Sequence, residues 1–104
     1  MPANVQSIIR EISYYLQSNG YDNRMWYIGL SVDPLESMIT KHGVDEEKDL
    51  WIYRECLTPD DAIFVRGQLM KTLKCDGEER NPENGEKYVY VYKKNSRTIE
   101  RGEK

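Results

Sequence analysis

Eight tyrosines, one histidine and two cysteines hold most of the side-chain chemistry open to this 104-residue chain. Tyr27 lies in an apolar run, Met25 to Ser31. A phenol there is either a catalyst or a core aromatic with its hydroxyl at the edge. Tyr88, Tyr90 and Tyr92 alternate with Val89 and Val91, so a strand carries all three on one face. Flanked by Lys87, Lys93 and Lys94, that face is either a packed strand face or a stacking platform for nucleobases or a partner peptide. Arg24, Lys41, Arg54 and Arg66 are candidate contacts to a nucleic acid or a protein partner. His42 has no Ser or Cys nucleophile signature near it and forms no triad. At a helix C-terminus its simplest role is toward the helix dipole. Cys56 and Cys75 form no C-x-x-C, and with one histidine they cannot complete a four-ligand zinc site. In a reducing compartment both stay thiols. Asp45-Glu46-Glu47 lacks the glycine and spacing of a calcium loop, and Gly77 and Gly85 stand too isolated to cradle a phosphate.

These residues need elements to position them. Val5, Ile8, Ile9, Ile12, Tyr15 and Leu16 recur at helical spacing, which predicts a helix over 5–19 with Asn4 or Ser7 as its cap and Gly20 at its end. Met25–Ser31 reads as a strand with Met25, Tyr27 and Gly29 on one face and Trp26, Ile28 and Leu30 on the other. Both faces are apolar, which implies cover on both sides. Asp33-Pro34-Leu35-Glu36 is a helix start, predicted to run to His42 with Gly43 beyond it. Leu50–Cys56 alternates as a second strand. Thr58-Pro59-Asp60-Asp61 opens a third helix, predicted to reach Lys74, in which Gly67 costs about 1 kcal/mol relative to Ala unless close packing requires it. Residues 75–86 read as an exposed loop and Lys87–Lys93 as the third strand. The order α-β-α-β-α-β predicts a small α/β or α+β domain, a three-stranded sheet flanked by three helices. Residues 1–94 form the single domain and 95–104 a basic, fraying tail.

Composition narrows the classes. Apolar residues make up 38%, which is low, but eleven percent aromatics argues against simple disorder. No apolar run approaches the ~20 residues of a membrane span, and no signal pattern opens the chain. The expectation is a cytoplasmic domain without a membrane partner. Fifteen basic against eighteen acidic residues give a net charge of −3, unlike the basic footprint of a dedicated nucleic-acid binder. The basic excess is local, from Lys93 onward.

Tyr27-Ile28-Gly29 on a strand, then Ser31, then Asp33 opening a short helix, resembles the second half of the GIY-YIG endonuclease motif. Lys41-His42, the strand Trp51-Ile52-Tyr53 and the helix from Ala62 continue the likeness, which covers roughly residues 25–77. The resemblance implies a small three-stranded sheet flanked by helices. It also implies phosphodiester cleavage by tyrosines on two adjacent strands, an arginine and a glutamate-held divalent cation such as Mg. Tyr27 matches the second-strand tyrosine and is the candidate catalytic residue. The chain departs from the family elsewhere. No G-I-Y strand precedes it, Ser37 stands at the arginine's place, and no acidic residue occurs from Ala62 to Lys74. An amide such as that of Gln68 cannot replace a carboxylate on a hard cation. The expectation is a degenerate GIY-YIG-like domain without catalysis or cofactor, used for binding. Two alternatives stand beside it. One is a metal-dependent endonuclease with relocated residues, in which Tyr88, Tyr90 or Tyr92 takes the lost tyrosine's place. The other is an unrelated protein-interaction or oligomeric domain.

Overall fold

The computed structural model describes residues 4–19, 25–77, 85–96, 98 and 99. Helix α1 spans Val5–Ser18 and begins where the Asn4 side chain accepts the Ser7 N–H at 2.9 Å. Strand β1 is Trp26–Ser31. Asp33 caps helix α2, Pro34–Glu36, by accepting from the Glu36 N–H, and Pro34 sits in its first turn. The chain then widens into a π-helical turn, Ser37–Lys41, in place of the ordinary helix expected as far as His42. The wider turn closes with the Val44 N–H on the Met38 carbonyl at 3.0 Å. Gly43 follows at φ 71°, the left-handed conformation that glycine adopts without a Cβ penalty. Strand β2 is Trp51–Glu55, and Thr58 caps helix α3, Pro59–Thr72. Strand β4 is Tyr88–Lys93.

The expectation of three strands and an unbroken loop over 75–86 is corrected by a short strand β3, Asp76–Gly77. It pairs parallel with β1, Tyr27 opposite Asp76, and makes a four-stranded mixed sheet in the order β2-β4-β1-β3. Strand β4 runs antiparallel to both neighbours, with Tyr27 opposite Tyr92 and Ile52 opposite Val91. Three helices on such a sheet make a small α+β domain.

Strand alternation sorts the core into two layers. Trp26, Ile28, Leu30, Ile52, Val89 and Val91 face α1 and α3, where Ile8, Ile12, Leu16, Val65 and Leu69 close on them. Tyr27, Tyr90 and Tyr92 point the other way, onto Met38 and Val44. The free edge of β2 is blunted, as unpaired edges must be. The Trp51 N–H donates to the Tyr15 hydroxyl, and Arg54 Nη1 donates to the Tyr53 carbonyl. The start of the expected tail touches the domain. Thr98 is buried, and the Ile99 N–H donates to the His42 carbonyl at 2.8 Å. The expected turn over Tyr21–Arg24 and residues 100–104 lie outside the described residues.

Candidate functional site

Tyr27 is 1% exposed. Its ring lies 5.1 Å from the His42 ring and 5.5 Å from that of Tyr92, so the phenol sits inside an aromatic layer and not at a cleft wall. Tyr90 completes the layer. Its ring lies across Gly29, where a Cβ would come within 2.5 Å of Tyr90 Cζ. Gly29 therefore serves as the seat of an aromatic ring. The Tyr90 hydroxyl and His42 Nε2 share a 2.8 Å hydrogen bond, and His42 Nδ1 donates to the Ile99 carbonyl at 2.6 Å. His42 thus ties the π-helical turn to β4 and to the tail. That is a structural role the helix-dipole expectation did not contain. Behind it the Ser31 and Ser37 hydroxyls are 2.6 Å apart, and Ser31 Oγ accepts from the Asp33 N–H.

The stacking platform expected from Tyr88, Tyr90 and Tyr92 is not what β4 presents. Tyr90 and Tyr92 are buried because α2 and the turn after it cover that face. Tyr88 is half-buried, edge-on to Tyr53, which in turn stacks on Trp51 at 6.1 Å. The candidate cations are not gathered around Tyr27. Lys41 is exposed on the π-helical turn, and Arg54 is paired with Glu11 of α1 at 2.7 Å. Arg66 lies on α3, which packs on the opposite side of the sheet. Arg24 lies outside the described residues. No group of three or more His, Cys, Asp or Glu side chains suited to hold a metal ion occurs among the described residues. Within the acidic loop Asp45 and Asp49 cap backbone N–H groups. Asp45 Oδ1 accepts from the Glu47 and Lys48 N–H groups, and Asp49 Oδ2 from that of Asp45.

Both cysteines are buried free thiols. Burial pushes Cys75 up to about 11, and burial with the nearby charges of Asp61 and Glu55 does the same for Cys56. Neither is a thiolate near neutral pH, which rules out the nucleophilic form.

A second locus lies on α3. Ala62, Val65, Arg66 and Leu69 are its buried positions, so a cation occupies a core-facing place in an otherwise apolar stripe. Arg66 is 8% exposed, and its Nη1 meets no acceptor among the described residues. It lines an open groove of about 430 Å³ together with Ile63, Gly67, Met70, Lys71 and Cys75. Arg66 is a candidate contact residue in the sequence, whereas the groove beside it has no sequence signature. The readable signal was a charge at apolar helical spacing. Met70 and Cys75 gave none, because the groove depends on how α3 meets the start of β3.

No family model matches the chain, and neither the curated proteins nor the solved structures contain a significant match to it. No helix among the described residues is long and apolar enough to cross a membrane.

Proposed function

We propose that this domain is a degenerate GIY-YIG-like unit that works as a non-catalytic binding module. The burial of Tyr27 is the observation that carries the reading. A tyrosine that orients water for attack on a phosphodiester must come within hydrogen-bond reach of that water. Tyr27 instead packs against His42, Tyr92 and the aliphatic cover of Met38 and Val44. Two further observations support the reading. Helix α3 carries no carboxylate from Ala62 onward, Arg54 is paired with Glu11, and Arg66 lies on α3, across the sheet from Tyr27. The pairing of Tyr27 with Tyr92 on the neighbouring strand is consistent with a tyrosine pair of the family's kind kept as packing.

The test is incubation of the purified chain with supercoiled DNA and with single-stranded RNA, in the presence of Mg or Mn. The expected result is no cleavage above the buffer control. Metal-dependent cleavage that disappears in Tyr27→Phe would overturn the proposal.

A further inference from the structure

Arg66 is expensive where it stands. Its Nη1 is buried with no acceptor among the described residues, and a buried donor left unpaired costs free energy. Among the described residues Arg66 forms no ion pair, whereas Glu11, Glu55 and Asp76 pair with Arg54, Lys87 and Lys94. The helix offers no carboxylate of its own between Ala62 and Lys74. Lys71 adds a second positive charge to the same groove, and the Cys75 thiol stays neutral and does not offset it.

Gly67 is the second unusual residue. It is helical, its φ is not positive, and a Cβ built on it meets nothing within 4 Å. Close packing therefore does not explain why a helix-weakening residue is used. Its effect is to leave room beside Arg66. The remaining walls, Ile63, Met70 and Cys75, are apolar. A volume of about 430 Å³ falls within the range of ligand sites, roughly 300–1,000 Å³.

We propose that this groove binds a small organic anion, a carboxylate or phosphate group on an apolar body, with Arg66 taking the charged oxygens and Ile63 and Met70 the apolar part. The planar guanidinium suits both groups, because its fork of donors matches paired oxygens. The assignment names a ligand class for the binding module proposed above and rests on that reading.

The test is amide chemical-shift mapping of the full chain during titration with hexanoate, hexyl phosphate, acetate, inorganic phosphate and hexanol. Hexanoate or hexyl phosphate should give saturable shifts centred on Arg66, Gly67 and Lys71, and the tighter of the two identifies the head group. Acetate, inorganic phosphate and hexanol should bind at least tenfold more weakly. Arg66→Met should weaken the preferred ligand at least tenfold without lowering the melting temperature, because it removes a buried donor that has no acceptor among the described residues. Gly67→Leu, which keeps Arg66 but fills the open space, should also weaken it at least tenfold. Several results overturn the assignment: no saturable shift on α3, equal binding of hexanol, equal binding of the two small anions, or undiminished binding by both variants. A null titration by a chain that cleaves no nucleic acid removes the groove assignment alone. Cleavage lost in Tyr27→Phe removes the binding-module reading itself.

Discussion

Gly29→Ala probes the aromatic layer at its tightest point. The new Cβ would sit 2.5 Å from Tyr90 Cζ and 3.0 Å from Cε1, with the hydroxyl oxygen in contact as well. Tyr90 cannot swing away cheaply. Its hydroxyl is bonded to His42, and His42 is bonded to the Ile99 carbonyl. The backbone cannot part either, because Gly29 and Tyr90 are partners in the β1–β4 ladder. Overpacking of this kind costs about 1–3 kcal/mol, and a lost hydrogen bond adds about 1 kcal/mol. Alanine recovers roughly 0.5–1 kcal/mol over glycine in a strand, so the net loss is about 1–3 kcal/mol. For a domain of this size each kcal/mol moves the melting temperature by roughly 4–8 °C. Urea unfolding should therefore show Gly29→Ala destabilised by at least about 1 kcal/mol. In a Tyr90→Val background the same change should cost less than about 0.5 kcal/mol, since contacting residues are not additive. A neutral or stabilising Gly29→Ala in the wild-type background refutes the seating of Tyr90 on Gly29.

The remaining predictions concern the thiols. At pH 8 a thiol titrating at about 11 is ionised to roughly one part in a thousand, so Cys56, sealed in the core, should resist a disulfide reagent until the chain unfolds, and Cys75, at the groove, should react far more slowly than a free thiol; rapid labelling of Cys56 in the folded protein contradicts its burial. Both thiols hold their protons above their ordinary value of 9.0, so the unfolded chain deprotonates first and stability falls as pH rises from about 9 towards about 11. That decline should be shallower in a chain with Cys56→Ala and Cys75→Ala than in the wild type, compared by urea unfolding at each pH.

Local features were legible in the sequence because local physics decides them. Asn4, Asp33 and Thr58 announce helix starts by side-chain chemistry and are the caps found. Alternation along Trp26–Ser31, Trp51–Glu55 and Tyr88–Lys93 separates the side chains into the two faces observed. What alternation cannot say is which face is covered. Tyr90 and Tyr92 read equally well as a platform or as core until α2 and the π-helical turn are seen lying over them. Strand order is equally invisible, because the insertion of β4 between β2 and β1 is a long-range choice. Asp76–Gly77 has no period to detect and becomes a strand only by pairing with Tyr27 and Ile28. In the candidate site, Arg66 carried a readable anomaly, a charge among Ala62, Val65 and Leu69. The space beside it depends on the packing of α3 against β3, which no spacing rule contains.

Tyrosine nitration mapped by mass spectrometry measures directly whether Tyr27 is sealed into the core. Tyr14, 72% exposed on α1, is the internal control against Tyr27 at 1%. Under conditions that preserve the circular dichroism spectrum, Tyr14 should be nitrated while Tyr27, Tyr90 and Tyr92 remain unmodified until denaturant is added. Nitration of Tyr27 at the rate of Tyr14 in the folded protein would contradict the account, because it would return that phenol to a solvent-open site where chemistry can be done.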